Sequence, residues 1–198
     1  YPIADNDPPH LSADRLEYTL GNARLVFRCP EAELKRIFDD IFVGQNENGE
    51  DELCFAHAET ADIFTRLSLR QSEWFVSDDD RFSMQALADL LREAQRRGVL
   101  TVNDLYLDEP HVIGLLLSDP VIAARWQDYR RVTGTQSGTQ KPKNTYAVKI
   151  AAKKRSIDPL VQTSDGLRRF TSVSADYAAK LAAFRADDFD RWVWAKYE

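Results

Sequence analysis

Residues 11–27, LSADRLEYTLGNARLVF, carry the clearest helix signal in the chain and are the starting point for its fold. Ser12 is of a type that caps helix N-termini, and Asp14 falls in the first turn, where the helix dipole favours a carboxylate. Apolar residues recur at steps of three and four, which predicts one face against a core: Leu16, Leu20, Ala23 and Phe27. Local physics predicts this helix without requiring a function.

A second stripe on the same helix is of a different kind. Asp14, Tyr18 and Gly21 are spaced so that a carboxylate, a phenol and a gap project from one side. This side is therefore a candidate site.

Helical spacing continues to residue 133, interrupted by a polar turn at QNENGEDE and a short extended piece at LCF, and the composition then changes. GTQSGTQKPKN, residues 134–144, is small and polar, and the following TYAVKI alternates as a strand does. RRFTSVS, after the turn at Asp165 and Gly166, is expected to pair with that strand, and the chain is expected to return to helix from Ser174 through the end. We therefore predict a helical region over residues 1–133 and a small strand-containing region over residues 134–198.

Composition limits the classes of function. The chain has 198 residues, a formal charge of −6 and a pI near 5.2, which argues against a general binder of nucleic acid or membrane surfaces. Its two cysteines, Cys29 and Cys54, lie in apolar settings and suit a reducing compartment. The sequence has no long apolar run and no export signal, so we expect a cytoplasmic protein with no membrane contact.

The residues ADRLEY introduce a family resemblance. Asp14-Arg15-Leu16-Glu17-Tyr18 resembles the last signature of the HD-domain metal-dependent phosphohydrolases, especially the branch of deoxynucleoside triphosphate triphosphohydrolases. In that branch a late helix begins with Asp-Arg or Asp-Lys and carries a Tyr four residues on. DLYLDEPHVIGLLL and VKIAAKKRSIDPLV are similar in style to segments downstream in the same branch. The resemblance implies a mainly α fold, namely the C-terminal part of a helical array of the HD-domain type, with a small α+β appendage.

The resemblance also implies a chemistry and a set of site residues. Members of the family hold one or more divalent metal ions with a His, a His-Asp pair and a final Asp, and the metal lowers the pKa of a bound water. Asp14 corresponds to that final Asp and is the predicted catalytic residue and metal ligand. Arg15 is predicted to contact substrate phosphate, and Tyr18 a nucleotide sugar. The implied substrate is a nucleotide or a related small phosphoester, and not a nucleic acid.

The remaining metal ligands are missing from this sequence. It has three histidines, His10, His57 and His111, and none is followed by Asp. We therefore expect the chain to be the C-terminal portion of a longer phosphohydrolase, with the divalent metal bound only together with the earlier ligands. The expected protein partners are the N-terminal portion of the same protein or further copies in a homo-oligomer.

A cationic island over residues 141–155, KPKNTYAVKIAAKKR, allows two interpretations. Its lysines suit a solvated strand edge, where they deter edge pairing. Alternatively, Lys153, Lys154 and Arg155 bind substrate phosphate. Two other functions also stay open for the whole chain: a non-catalytic helical interaction module, and a module that senses nucleotides without turning them over.

Overall fold

The computed structural model describes residues 3–197 and has an α+β fold, with about 51% helix and about 15% strand in two sheets. The prediction of a mainly α fold is therefore wrong. None of the helices within the described residues is long and apolar enough to cross a membrane.

The helices and strands follow one another in groups along the chain. The helices are α1 (Ala13–Leu25), α2 (Glu31–Asp39), α3 (Ala58–Phe75), α4 (Asp78–Arg96), α5 (Glu109–Ser118), α6 (Pro120–Arg130), α7 (Phe170–Val173) and α8 (Ala175–Ala186). The strands are β1 (Ile41–Gln45), β2 (Asp51–Phe55), β3 (Gly134–Gly138), β4 (Ala147–Val148), β5 (Leu160–Thr163), β6 (Gly166–Arg169) and β7 (Trp192–Lys196). Asn103–Tyr106 form a 3-10 turn.

The strands form one mixed sheet and one antiparallel sheet. The first has the order β1-β2-β5-β6, with β2 and β5 parallel and the outer pairs antiparallel. The second has the order β3-β7-β4, so the last strand in sequence is its central strand.

The chain divides into two compact units, and each contains one of the sheets. The first unit comprises the described residues up to Phe75 together with Lys153–Asp188. The second comprises Val76–Ala152 together with the described residues from Phe189 onward. The boundary predicted after residue 133 falls inside the second unit, because both units are built from segments far apart in sequence.

Aromatic residues and a buried ion pair hold the first unit together. Phe55 on β2 and Phe64 on α3 are fully buried, with ring centroids 5.1 Å apart. Glu52 on β2 is also fully buried, and both of its carboxylate oxygens accept hydrogen bonds from the guanidinium of Arg169 on β6, at 2.7 and 2.9 Å. Glu52 Oε1 further accepts the backbone N–H of Leu11, just before α1. This pair therefore links the sheet to the start of the first helix.

The second unit packs α4 against its antiparallel sheet and against α5 and α6. Phe82 on α4 packs with Val148 on β4 and Val193 on β7. At the other end of α4, a separate apolar cluster contains Leu90, Ala94, Leu100, Leu116 and Ile122. Ser77 caps α4 by accepting the backbone N–H of Asp80 at 3.2 Å, a role that serine commonly takes at a helix N-terminus.

Strands replace helix or loop at two places in the prediction. In the β1–β2 hairpin, β1 replaces the predicted end of a helix, whereas the turn and the extended piece at LCF agree with the prediction. The turn is built by Asn46, whose side-chain oxygen accepts the backbone N–H groups of Asn48 and Glu50. Gly49 in the same turn has a φ of +78°, which glycine adopts at little cost. The predicted C-terminal helix ends at Ala186, and β7 follows it.

The predicted strand partners also need correction. Residues 166–169 do not pair with the strand near residue 148 but fold back on β5 across the turn at Asp165 and Gly166. Ala147–Val148 pair with β7 instead. The turn signal was local and correct, whereas the choice of partner depends on contacts distant in sequence.

Candidate functional site

A cleft of about 650 Å³ in the first unit brings together every site residue predicted from the sequence. Its wall includes side chains from α1, from α3, from the loop at residues 5–8 and from the irregular segment at residues 153–157. The predicted site residues among them are Asp14, Arg15 and Tyr18 from α1 and Lys153, Lys154 and Arg155 from the irregular segment.

The N-terminal end of α1 presents the acidic group of this cleft. Ser12 caps the helix by accepting the backbone N–H of Arg15 at 3.4 Å, so Asp14 lies in the first turn. Asp14 is exposed, and its carboxylate makes no hydrogen bond or ion pair with another described residue. Tyr18 follows one turn later on the same side and is 57% exposed. The carboxylate and the phenol are therefore both accessible from the cleft.

Arg15 is engaged with the chain that precedes α1. Its Nη1 donates to Asn6 Oδ1 at 2.5 Å and to Ser12 Oγ at 3.1 Å, and its Nη2 lies 3.7 Å from an Asp5 carboxylate oxygen. These contacts fix the loop at residues 5–8 against the helix. Arg15 therefore holds one wall of the cleft in position.

The three basic residues of the irregular segment differ in their partners. The ammonium of Lys154 donates to the carbonyl oxygens of Arg185 and Asp187 at the end of α8, which is a favourable place for a cation. Lys153 and Arg155 are exposed and make no hydrogen bond or ion pair with another described residue. Of the three, Lys153 and Arg155 are therefore the cations available to a ligand.

The core holds this segment in place beside α1. The Tyr177 hydroxyl donates to the carbonyl oxygen of Ile157, and the backbone N–H of Asp158 donates to the carbonyl oxygen of Pro9 at 2.9 Å. The Asp158 carboxylate accepts both the backbone N–H and the hydroxyl of Thr171, at 2.9 and 2.6 Å. The segment is thus anchored at its C-terminal side by contacts to α8, to α7 and to the chain before α1.

Polar groups that the sequence analysis did not identify form the inner wall of the cleft. Thr19, Ser68 and Gln71 are almost fully buried and line it. Gln71 Oε1 is buried and has no hydrogen-bond partner among the described residues. No sequence signal marks this residue, because a glutamine within a helical pattern is ordinary.

Charges of both signs surround the cleft. Arg15, Lys153, Lys154 and Arg155 are the basic residues of its wall, and Asp5, Asp7 and Asp14 are the acidic ones. The cations give it the charge that phosphate oxygens need, and the free carboxylate of Asp14 offers a hard oxygen ligand for a cation.

The histidines are placed elsewhere, each facing a carboxylate. His10 Nε2 lies 3.8 Å from Glu47, His111 Nε2 lies 3.8 Å from Asp104, and His57 Nδ1 lies 2.5 Å from Asp40. The hydrogen bond to Asp40 raises the pKa of His57 above its usual value. None of the three lines the cleft, and the residues from 3 to 197 contain no group of three His, Cys, Asp or Glu that could hold a metal ion.

A second cavity of about 580 Å³ lies around the His57–Asp40 pair. Lys35 and Arg36 also line it, but Lys35 is paired with Asp39 at 2.6 Å. Asp40 accepts the backbone N–H of His57 as well as its ring N–H, so the pair fastens the start of α3 to the end of α2. Its contacts are those of a structural link.

The cationic island is divided between the two units. Lys141 lies over the Trp192 ring at 5.1 Å, and Lys149 pairs with Asp190 at 2.5 Å, both within the second unit. Residues 153–155 belong to the first unit, where they line the cleft. Of the island, the last three residues belong to the cleft.

Comparison with known proteins does not place the chain in a family. It matches no model of a protein family, no curated protein and no solved structure.

Proposed function

We propose that this chain is the C-terminal portion of a metal-dependent phosphohydrolase of the HD type and that it acts on nucleotides or related small phosphoesters in the cytoplasm. The observation that carries the proposal is the meeting, in one cleft, of the Asp14 and Tyr18 pair with the unpaired cations Lys153 and Arg155. These residues come from segments more than a hundred residues apart in sequence.

Asp14 is the group suited to a metal. A carboxylate with no partner among the described residues, held in the first turn of a capped helix, is a hard oxygen ligand of fixed direction. Asp14 supplies one of the metal ligands that the family uses. The remaining ligands, a His and a His-Asp pair, are assigned to the longer protein. When bound, the metal supplies a water of lowered pKa and polarises the phosphate.

The other residues of the cleft then bind and orient the substrate. Lys153 and Arg155 hold phosphate oxygens through charge-assisted hydrogen bonds. Tyr18 offers its ring face and its hydroxyl to the sugar, and Lys154 and Arg15 keep the two walls of the cleft in place through their own contacts.

The test uses the full-length protein and follows release of product from nucleoside triphosphates together with bound metal. Because even partners of metal ligands cost about 10- to 100-fold when removed, Asp14→Asn is expected to reduce the rate by about 100-fold or more and to lower the metal content. Glu17→Gln, an exposed change on the same helix that lies outside the cleft, is the control and should retain the parent rate. Parent activity and metal content in Asp14→Asn would contradict the proposal.

A second candidate is a module that senses nucleotides without turnover. Lys153 and Arg155 favour it, because unpaired cations bind phosphate without a metal. Nucleotide binding to the full-length protein with no product formed would support it over hydrolysis. If no phosphorylated compound binds, the third interpretation, an interaction module without a ligand, takes its place.

A further inference from the structure

The proposed function leaves the polar inner wall of the cleft unused, and within this wall Gln71 carries a buried oxygen without a partner among the described residues. It lies on α3 and is only 7% exposed, and it lines the cleft. Its Oε1 has no hydrogen-bond partner within residues 3–197. Buried side-chain amides are normally paired, so an unpaired one lining a cleft indicates a partner supplied by a ligand.

Its neighbours in the wall do not supply that partner. Ser72, one residue further along α3, donates its hydroxyl to the Ser68 carbonyl oxygen at 2.9 Å. By contrast, Gln85 on α4 donates to the Asp89 carboxylate at 2.7 Å, which is the usual arrangement for a helical glutamine. The carbonyl oxygen of Gln71 is therefore left without a partner among the wall residues that the structure describes.

The amide of glutamine has a distinctive recognition chemistry. Its carbonyl oxygen accepts a hydrogen bond and its NH₂ group donates one, side by side in one plane. If the amide rotates by half a turn, the two groups change places, and an acceptor still lies beside a donor. The matching ligand group is a planar edge with an adjacent donor and acceptor, as on a nucleobase.

Exposed aromatic rings in the same cleft suit a flat ligand group. Tyr18 and Phe75 line the cleft and are 57% and 45% exposed. Phe75 already stacks on Trp74, with ring centroids 5.2 Å apart. Aromatic faces stack on every kind of nucleobase, so the rings supply affinity for a base, and the amide supplies the discrimination between bases.

We infer that Gln71 is a specificity-determining residue, which binds the donor and acceptor edge of a nucleobase and makes the cleft prefer nucleotides to phosphates that lack a base. The inference rests on the proposed assignment of this cleft as the phosphate site. In this arrangement Gln71 on α3 binds the base, and Lys153 and Arg155 bind the phosphate groups.

The experiment measures equilibrium binding by titration calorimetry on the full-length protein, with divalent metal removed so that no turnover occurs. The ligands are the four deoxynucleoside triphosphates and inorganic tripolyphosphate. Gln71→Leu should weaken binding of the preferred nucleotide by about tenfold, the effect of losing hydrogen bonds to an uncharged group, and leave tripolyphosphate binding unchanged. Gln95→Leu, the same chemical change at an exposed position on α4, should alter neither.

A melting curve separates this role from a purely structural one. Because leucine removes a buried carbonyl oxygen that has no partner among the described residues, Gln71→Leu should melt at or above the parent temperature while its nucleotide affinity falls. Equal nucleotide affinity in Gln71→Leu and the parent, or an equal fall for nucleotide and tripolyphosphate, would overturn the inference and leave the phosphate site standing. Failure of all five compounds to bind would overturn both.

Discussion

The buried pair of Glu52 and Arg169 yields the most direct test of how the first unit is held together. In Arg169→Ala the Glu52 carboxylate loses both guanidinium hydrogen bonds, at 2.7 and 2.9 Å, while remaining fully buried. Breaking a buried ion pair from one side costs about 3–5 kcal/mol, since an uncompensated charge is left behind. The contact of Arg169 with the more exposed Glu47 adds at most about 1 kcal/mol.

Arg168→Ala is the matched control for this change. Arg168 is the preceding residue of β6 and is exposed, so its removal should alter the free energy of unfolding by no more than about 0.5 kcal/mol. Urea unfolding measures the change in the free energy of unfolding. Hydrogen exchange of the β2 and β5 amides, measured separately on the folded protein, shows where the loss of stability occurs. The Leu11 amide should also exchange faster in Arg169→Ala, because its acceptor is Glu52 Oε1.

A second variant separates the charge from the packing. The double variant Glu52→Leu with Arg169→Met removes the buried charge altogether. Its free energy of unfolding should therefore fall less than that of Arg169→Ala alone. If Arg169→Ala and Arg168→Ala unfold at the same urea concentration, with equal slopes, the reasoning about the buried carboxylate is refuted.

Two further predictions concern titrating groups. The hydrogen bond to Asp40 raises the pKa of His57 in the folded state. The stabilisation of the folded protein by this pair is therefore complete below about pH 6.5 and is lost as the pH rises through the folded-state pKa of His57. Asp40→Asn should abolish this part of the pH dependence in urea unfolding, and an unchanged profile would contradict the assignment. Burial raises the pKa of the Cys54 thiol to about 11 and raises that of Cys29 as well. Native protein at about pH 8 should therefore react slowly with a thiol reagent at both positions and rapidly once unfolded, and fast labelling of the native protein would count against the burial of these thiols.

The sequence predicted those parts of the fold that are encoded within a few neighbouring residues. Ser12 and Ser174 begin helices because a cap needs only the next three residues. The turn at Asp165 and Gly166 was likewise predicted correctly, since Gly166 has a φ of +99° and such positions favour glycine.

Pairing between distant strands could not be predicted in the same way. The parallel contact of β2 with β5 joins Cys54 to Leu160, and no local pattern specifies that partner. The sequence predicts helix at β7 because the apolar WVWAK continues a stretch with helical spacing. Its strand character depends on β3 and β4 lying on either side.

The candidate site was predicted in part. The three-residue and four-residue steps of α1 place Asp14 and Tyr18 on one side, and the cluster of charges at residues 153–155 was visible as composition. Which of these basic residues has partners elsewhere, as Lys154 does at the end of α8, depends on tertiary contacts. Gln71 became a candidate only through its burial and its missing partner, which are properties of the fold.

The central position of β7 in its sheet has a consequence for synthesis on the ribosome. β3 and β4 each pair with β7 and not with each other, so neither has a hydrogen-bonded neighbour while the nascent chain is still short of residue 192. The ribosome tunnel encloses the last stretch of a growing polypeptide, so this sheet can assemble only after the residues of β7 have left the tunnel. Until then β3 and β4 remain unpaired strands, and this is the interval when chaperones would protect the nascent chain from aggregation.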